Sequence, residues 1–320
     1  MNVLRVVILM PVYRDWQSAG VLCGRLDERL GSLTGVQARI LLVDDASPDG
    51  LDKWNGTNYA AIESLDVLRL RRNLGHQRAI AVGLCYIEEH MKCDAVLVMD
   101  ADGEDRPEDA ARLIERAEEH RECVFFAARR RRQEKALFQF GYLLFRWLHR
   151  ILTGVSVRVG NFSVVPMGVV RRLVCMPELW NHFAGAVYKS KAHFELIPMD
   201  RGKRLFGSSH MDLTALVAHG IAGIATFHEI VATRILLTNT IGLVLLTAVL
   251  GTVAVLRLAK NLSIPGWAIY LSGFVLVWVI QLLGISFSLV FTLISNRTSM
   301  PFVPKRDYEL FVDGFDRLVV

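Results

Sequence analysis

Residues 96–105 of the chain read Val-Leu-Val-Met-Asp-Ala-Asp-Gly-Glu-Asp, an apolar run followed at once by acidic residues. A short apolar run bounded by turn residues is typical of a buried strand. Alternate side chains of an extended segment share a face, so Asp100 and Asp102 point to one side if extension persists beyond the run. The segment therefore predicts two carboxylates at the carboxyl end of a buried strand.

The same organisation recurs through the first 130 residues, where short apolar runs alternate with amphipathic segments. The predicted strands are 6–10, 40–43, 67–70, 95–99 and 124–127, and the predicted helices are 17–30, 77–90 and 107–120. Strands that alternate with helices predict an α/β domain with a parallel sheet. Ligands of such sheets bind beyond the carboxyl ends of the strands, here residues 11–15, 44–49, 73–77 and 100–105.

Two neighbouring strand ends carry carboxylates, because Asp44 and Asp45 follow the apolar run 41–43. Paired acidic oxygens of this kind are hard ligands that suit Mg²⁺ or Mn²⁺ together with substrate phosphates. A solvated acidic turn before the helix at Pro107 is the alternative for Asp100 and Asp102. Carboxylates at adjacent strand ends repel one another unless a cation or hydrogen-bond donors compensate them, which favours a binding site.

The last third of the chain is far more apolar than the rest. Among 320 residues, 52% are hydrophobic and 22% charged, and the net charge is +5. Residues 235–256 and 266–295 carry no charge, and each stretch is long enough to cross a hydrocarbon core of about 30 Å. They predict a transmembrane hairpin with both ends on one side, with a buried helical pair as the alternative. Scattered cysteines without a C-x-x-C pair and the basic flanks favour a cytosolic main domain.

The predicted domain organisation has four parts. Residues 1–212 form a cytosolic catalytic domain, and 213–233 form an amphipathic juxtamembrane segment. Residues 234–296 hold the two transmembrane helices, and 297–320 form a cytosolic C-terminal tail. Glycines in the spans permit close helix approach and a homo-oligomer; these are Gly242, Gly251, Gly273 and Gly284.

Four motifs occur in an order that resembles the family 2 glycosyltransferases of GT-A fold, in particular the dolichyl- or undecaprenyl-phosphate sugar synthases. They are Pro11-Val12-Tyr13, Asp44-Asp45-Ala46-Ser47-Pro48-Asp49, Asn73-Leu74-Gly75-His76 and Asp100-Ala101-Asp102. The segments 201–204 and 207–211 resemble the R-x-x-G-x-S-K-M segment of that family. Bacterial members also have two C-terminal membrane helices, so the resemblance covers nearly the whole chain.

The resemblance implies a GT-A, Rossmann-like α/β domain followed by the transmembrane hairpin. The implied enzyme is an inverting hexosyltransferase at the cytoplasmic membrane. It would move one sugar from a UDP- or GDP-linked donor to a polyprenyl phosphate, giving a lipid-linked sugar for cell-envelope glycan or glycolipid assembly. Its partners would be the donor, the acceptor and the lipid bilayer, with Mg²⁺ or Mn²⁺ as cofactor.

The resemblance also implies roles for the acidic strand ends and their neighbours. Asp44 or Asp45 would accept from the base, Asp100 would meet the ribose or a metal water, and Asp102 would bind the metal. The other implied donor and metal contacts are Pro11, Tyr13 and Asp15 at the base and ribose, and Glu104 as a further metal ligand.

Basic residues would hold the phosphates. Arg129 and Arg204 are the implied catalytic arginines, because arginine grips phosphate oxygens with two N–H groups. The further implied donor contacts are Arg132, Ser209 and His210, the last in a place where relatives carry lysine. Asn161 stands where the family often has aspartate and cannot act as a base, but a phosphate acceptor is already anionic.

Three other functions are weighed against this one. A catalytically idle membrane-anchored scaffold is favoured by Asn161 and His210 and disfavoured by the intact Asp100 and Asp102. A family 2 transferase with another lipid or glycan acceptor is a second alternative. Nucleic acid is excluded as a partner because the acidic strand ends would repel its phosphates in the absence of metal.

Overall fold

The structure, a computed structural model, describes residues 3–49, 54, 58–129, 147–154, 159–200, 202–206, 220–260, 266–298 and 302–319. The chain divides into two compact units. The first is drawn from Met1–Tyr142, Ser156–Thr226 and Phe302–Val320, and the second from Leu143–Val155 and Phe227–Pro301.

A mixed sheet forms the centre of the first unit. In the described residues its strand order is β7-β5-β6-β4-β1-β2-β3-β8. The strands are β1 (Leu4–Val12), β2 (Val36–Asp44), β3 (Ile62–Leu70), β4 (Ala95–Val98), β5 (Val124–Arg129), β6 (Ser163–Pro166), β7 (Phe194–Met199) and β8 (Val312–Val319). All five predicted strands are present.

The strands β1 to β4 are parallel neighbours, as predicted. A fully parallel sheet is nevertheless wrong for this protein, because β6 runs antiparallel between β4 and β5, and β8 runs antiparallel to β3. The sequence signal for β6 is weak because the strand has only four residues and ends at Pro166.

Helices cover both faces of the sheet. They are α1 (Trp16–Leu30), α2 (His76–His90), α3 (Pro107–Glu119), α4 (Met167–Leu173) and α5 (Phe183–Lys189). Alternate residues of β1 point to opposite faces, so Val7 and Leu9 join the core under α2 while Ile8 and Met10 join the core under α1 and α3. At Gly83 in α2 a Cβ atom would lie 2.4 Å from a Leu9 methyl, so glycine allows this helix to press on β1.

The residues that follow the apolar helices return to the sheet. Helical turn α8 (Pro304–Asp307) and a 3₁₀ turn (Tyr308–Phe311) lead into β8. The Tyr308 hydroxyl donates to Glu89 of α2 at 2.8 Å, and Arg317 pairs with the buried Asp66 of β3 at 3.0 Å. The segment predicted only as a tail therefore supplies an edge strand of the sheet.

The second unit contains a helical stretch at 147–153 and two long helices, α6 (His228–Lys260) and α7 (Gly266–Thr298). Within them, His228–Leu256 and Tyr270–Ser295 are long and apolar enough to cross a membrane. Both helices expose large apolar side chains over most of their length. An apolar surface of this size is rare on proteins that are surrounded by water and is typical of membrane or protein contacts.

Among the predicted helix-contact glycines, only Gly242 faces a neighbour in the described chain. A Cβ atom there would lie 3.5 Å from a Leu282 methyl, so α6 and α7 approach each other at this point. Positions 251, 273 and 284 have open space within 4 Å.

Candidate active site

The carboxyl ends of β1, β2 and β4 meet at one edge of the sheet. Val12 lies opposite Asp44 in the β1–β2 register, and Leu9 lies opposite Val98 in the β1–β4 register. The backbone N–H of Asp45 donates to the Val12 carbonyl, which keeps the strands paired up to the edge. The segments after these strands, 13–15, 45–49 and 99–105, therefore face the same space.

Asp45 supports the loop that follows β3. Its two carboxylate oxygens accept from the backbone N–H groups of Leu74 at 2.6 Å and Gly75 at 2.8 Å, and the side chain is almost fully buried. Burial raises the pKa of Asp45 and outweighs the two backbone hydrogen bonds, which lower it. Gly75 has φ +88°, a left-handed value that favours glycine. The Asn-Leu-Gly-His motif is thus fastened to the end of β2 by this carboxylate.

Asp44 closes a turn beside it. Its Oδ1 accepts from the N–H of Ser47 at 2.9 Å, and the Ser47 hydroxyl accepts from the N–H of Arg14 at 3.0 Å. Arg14 and Ala46 have φ values of 60° and 56°, which non-glycine residues adopt at a cost. Such strained residues cluster at binding sites, and here they shape the loops after β1 and β2.

The Asp100–Asp105 loop turns sharply instead of continuing the strand. β4 ends at Val98, and residues 101–105 form turns and bends. The N–H of Asp100 donates to Asp105 Oδ2, and the N–H of Glu104 donates to Asp102 Oδ1, each at 2.9 Å. The condition under which Asp100 and Asp102 would share a face, an extended backbone through Asp102, is therefore not met.

Arg204 joins the loops after β1 and β4. Its Nη2 donates to both oxygens of Asp15 at 2.8 and 2.7 Å, and its Nη1 lies 3.5 Å from Asp102 Oδ2. The side chains of Asp15, Asp102 and Arg204 are 23%, 15% and 16% exposed, so the cluster is sheltered but reachable. The guanidinium compensates Asp15 and Asp102, and Asp102 is one of the carboxylates expected to repel its neighbours at the adjacent strand ends.

The segment 202–206 is fastened to the Asp100–Asp105 loop through the backbone. Gly202 N–H donates to the Glu104 carbonyl at 2.8 Å, and Leu205 N–H donates to the Asp102 carbonyl at 3.0 Å. At Gly103, with φ +85°, a Cβ atom would lie 2.5 Å from Leu205 Cγ. Glycine at this position allows the two segments to touch, and their contact places Arg204 beside Asp102.

A side-chain network reaches Asp100 from the other side. His76 Nε2 lies 3.1 Å from Asp100 Oδ1 and 2.8 Å from Asn161 Nδ2. Gln77 donates to Asn161 Oδ1 at 3.1 Å and accepts from the N–H of Phe183 at 2.7 Å, which fixes the orientation of both amides. Burial lowers the pKa of His76, but Asp100 together with Asp105 and Asp102 outweighs this effect and raises it.

The sequence analysis placed His76 only in the Asn-Leu-Gly-His motif and did not predict its contact with Asp100. The signal was available, since His76 follows the carboxyl end of β3 and the same edge rule applies to it. The sequence analysis also did not predict that Asp45 accepts from backbone N–H groups or that Arg204 contacts Asp15 and Asp102. A carboxylate bound by backbone N–H groups and a carboxylate open to a ligand look the same in a sequence.

The predicted metal ligands are hard oxygen donors, which suit Mg²⁺ or Mn²⁺. In the part of the chain that the structure describes, one set of three His, Cys, Asp or Glu side chains has its ligand atoms within 4.8 Å of one another: Cys123, His193 and Glu195. That set lies at the amino ends of β5 and β7, away from the acidic edge. The trio Asp100, Asp102 and Glu104 stays a prediction; its first two members contact His76 and Arg204.

The remaining predicted residues are placed in part. Pro11 is buried within β1, and Tyr13 is 37% exposed just beyond it, with the Arg14 guanidinium 5.4 Å from its ring centre. Arg129 ends β5, and its side chain lies outside the described part of the structure, as do Arg132, Ser209 and His210.

The family described as "Glycosyl transferase family 2" matches residues 7–171, which include the three acidic loops and Asn161. The chain belongs to glycosyltransferase family 2. It is therefore a glycosyltransferase, and its first unit has the α/β GT-A fold expected from the sequence motifs.

Two similar proteins are an uncharacterised glycosyltransferase of Synechocystis and an undecaprenyl-phosphate 4-deoxy-4-formamido-L-arabinose transferase of Klebsiella pneumoniae. The first is 22% identical over 88% of this glycosyltransferase and 88% of its own length. The second is 28% identical over 67% of this chain and 65% of its own length, so the chain spans just under two thirds of that relative.

A solved structure with a similar fold is glucosyl-3-phosphoglycerate synthase from Mycobacterium tuberculosis in complex with Mn²⁺ and UDP-glucose. It is 13% identical, and the match covers 71% of this chain and 78% of that chain with a TM-score of 0.48.

Proposed function

We propose that this glycosyltransferase moves one sugar from a nucleoside-diphosphate sugar to a polyprenyl phosphate at a membrane, with inversion at the anomeric carbon. The observation that carries the proposal is the acidic edge formed by Asp15, Asp100 and Asp102, with Arg204 between Asp15 and Asp102 and His76 beside Asp100, in a chain with two membrane-length helices. The relative from Klebsiella, an undecaprenyl-phosphate sugar transferase, supports the choice of acceptor.

The donor would bind over the three acidic loops. Tyr13 presents an exposed ring after β1, and Asp44 lies at the adjacent strand end with one oxygen engaged by Ser47. These two residues would contact the base, and Asp100 would meet the ribose or a metal-bound water. Asp102 would hold Mg²⁺ or Mn²⁺, with Glu104 as a further ligand. A bound divalent cation stabilises the negative charge that accumulates on a departing nucleoside diphosphate.

Arg204 would change partners when the donor binds. In the structure it is shared by Asp15 and Asp102, and phosphate oxygens compete with carboxylates for a guanidinium of this geometry. Arg204 would then hold a diphosphate oxygen while the metal compensates Asp102. Arg129 is proposed as a second phosphate ligand by its place in the family pattern, and Arg132, Ser209 and His210 as further donor contacts.

The reaction needs no protein base. An oxygen of the acceptor phosphate forms a bond to the anomeric carbon, while the bond from that carbon to the donor diphosphate breaks and the electron pair leaves with the nucleoside diphosphate. The acceptor oxygen is already anionic near neutral pH, so no proton has to be removed. Asn161, held by Gln77 and beside His76, is compatible with this chemistry because only a neutral acceptor would need a carboxylate there.

The course of the chain supports a two-span topology. The sheet of the first unit contains β8, which follows α6 and α7 in the sequence. A chain that leaves a folded unit, crosses a membrane and rejoins the same unit must cross an even number of times. We therefore propose a multi-pass protein in which the catalytic unit, including β8, and the C-terminus lie in the cytosol. The open glycine positions of the spans permit a homo-oligomer.

The test uses membranes that contain the protein, undecaprenyl phosphate, Mg²⁺ or Mn²⁺, and a panel of labelled UDP- and GDP-sugars. Label should move into the organic phase from one donor, and omission of the acceptor or addition of EDTA should abolish the transfer. Membranes of the same host without the protein give the background. Transfer to a different lipid or glycan would replace the acceptor in this proposal. Nucleotide binding without transfer to any acceptor would indicate an idle scaffold.

A further inference from the structure

The second unit contains a cleft at the start of α6. Its volume is about 490 Å³, and its walls come from residues 151–152 and from the first turns of α6, between Arg234 and Asn239. The wall residues are largely aliphatic: Ile151, Leu152, Ile235 and Leu237. Every wall residue belongs to the second unit, whereas the acidic loops belong to the first.

Arg234 is fixed at this cleft by the stretch 147–154. Its guanidinium donates to the carbonyl of Ile151. It also lies against Gly154, where a Cβ atom would be 2.5 Å from Nη2 and where φ is +76°. Glycine is thus favoured at this position both by the backbone and by the space that the guanidinium occupies. A guanidinium has five N–H groups, and the described residues engage one nitrogen, Nη1, so the charge is available to an anion.

A second donor, Asn239, also lines the cleft. The Asn239 amide nitrogen is buried and has no hydrogen-bond partner among the described residues, whereas the neighbouring Thr238 hydroxyl donates to the Arg234 carbonyl at 2.9 Å. A buried donor without an acceptor is costly, which points to an acceptor supplied by a ligand. Five residues of helix separate the two donors, about 7.5 Å along the axis.

The surroundings of the cleft are those of a membrane boundary. Trp147, Leu148 and Ile151 expose apolar side chains on the stretch before the cleft, and α6 continues beyond it with exposed residues such as Leu237 and Ile241. A cation at the head of an apolar wall is complementary to an anionic group on a hydrocarbon chain.

We propose that this cleft binds the phosphate end of a polyprenyl phosphate, with Arg234 holding the phosphate, Asn239 donating to one of its oxygens, and the first isoprene units lying on the aliphatic wall. This inference rests on the proposed function, for which it names an acceptor site. A single-chain phosphate monoester suits the cleft better than a phospholipid, because one cation and one set of four aliphatic residues match one anionic end and one chain.

The test measures binding without any sugar transfer. The full-length protein in detergent is titrated with undecaprenyl phosphate, or with phosphatidylglycerol, and bound lipid is counted by native mass spectrometry. Arg234→Gln should weaken binding of undecaprenyl phosphate at least about tenfold, and Asn239→Leu by about threefold to tenfold, as expected for loss of one charged and one neutral hydrogen bond. Arg257→Gln, at the other end of α6, is the matched control and should bind like the wild type.

Two results would overturn the inference. One is unchanged binding in both variants, and the other is an equal loss of phosphatidylglycerol binding, which would make the cleft a general anionic-lipid site. If Arg234→Gln does not yield folded protein, Asn239→Leu decides the question. Leucine is similar in size to asparagine, and the amide nitrogen that the change removes has no hydrogen-bond partner among the described residues, so the fold should tolerate the change.

Kinetics separate this inference from the proposed function. In a protein that transfers sugar, Arg234→Gln should raise the KM for undecaprenyl phosphate about tenfold and leave the KM for the donor unchanged; an unchanged acceptor KM refutes the site but not the reaction. In a protein that transfers nothing, weaker lipid binding by Arg234→Gln upholds the site while the proposed reaction fails.

Discussion

The two acidic strand ends look alike in the sequence and differ in the structure. After β2, Asp45 is bound through both oxygens by the backbone N–H groups of Leu74 and Gly75. After β4, Asp100 and Asp102 contact the side chains of His76 and Arg204. The first end is therefore tied to the fold through both oxygens of Asp45. At the second end one oxygen of Asp102 is held by the Glu104 N–H, and the other faces the Arg204 side chain, which can move.

We expect this difference to separate a structural carboxylate from one that binds a ligand. Backbone N–H groups cannot leave without unfolding the loop, so Asp45 cannot exchange these hydrogen bonds for a ligand. The Arg204 side chain can rotate away when a metal ion or a phosphate competes for the same contacts. The edge after β4 can thus exchange its partners during a reaction cycle, while the edge after β2 holds the loop that carries His76.

The largest effect is expected for Asp102→Asn, which tests whether the carboxylate after β4 binds a ligand. The change removes the proposed metal ligand but not the fold, so the transfer rate should fall at least about 100-fold while thermal stability stays close to that of the wild type. Labelled sugar recovered in the organic phase measures the rate. Asp313→Asn, an exposed change on β8, should have no effect. A variant within threefold of the wild-type rate would show that Asp102 does not hold the metal.

The next effect is expected at Arg204. Arg204→Gln leaves Asp15 and Asp102 without their shared cation and removes a phosphate ligand, so kcat/KM for the donor should fall about 10- to 100-fold. Arg204→Lys keeps the positive charge but loses the paired N–H donors of the guanidinium. Its activity should lie between that of the wild type and that of Arg204→Gln. Initial rates at varied donor concentration give these values. Equal activity of all three proteins would confine Arg204 to a structural contact.

Asp45→Asn tests the structural end of the comparison. An asparagine keeps one acceptor but turns an NH₂ group towards a backbone N–H, so the free energy of unfolding should fall by about 1–3 kcal/mol. Thermal unfolding in detergent measures this loss. Full stability combined with a large rise in donor KM would instead make Asp45 a contact of the base.

The smallest effect is expected at Asp44. Asparagine can still accept from the Ser47 N–H, so stability should change by less than about 1 kcal/mol. The proposed contact to the base would weaken, and the donor KM should rise about fivefold with little change in kcat. Isothermal titration with UDP and GDP reports the same loss without turnover. Unchanged affinity for the nucleotide that the enzyme uses would remove Asp44 from the donor site.

Much of the fold was predictable because local patterns carry it. The parallel strands β1 to β4 and the helices between them follow from the alternation of apolar runs and amphipathic segments, and Pro107 marks the start of α3 as expected. The antiparallel strands β6 and β8 were missed. β6 has only four residues, too few for a recognisable strand pattern. β8 pairs with a strand about 245 residues earlier in the chain, and a local sequence pattern cannot predict such a pairing.

The sequence predicted where the candidate site lies on the sheet, but not which side chains contact one another there. The edge rule located Asp15, Asp44, Asp100 and Asp102 because it depends only on strand direction. The rule does not say which oxygen meets a backbone N–H and which meets Arg204, since those contacts depend on how the segments 73–77 and 202–206 cross the edge. The extended backbone expected through Asp102 failed for the same reason, because Gly103 and the hydrogen bonds of Asp105 turn the chain.

The position of β8 has a consequence for the order of events on the ribosome. The edge of β3 and the buried carboxylate of Asp66 await partners from residues 312–319, which are synthesised after both apolar helices. The catalytic unit therefore cannot complete its sheet until the hairpin has been made. An open strand edge invites pairing with other chains. Synthesis of both apolar helices thus precedes the step in which β8 closes the edge of β3.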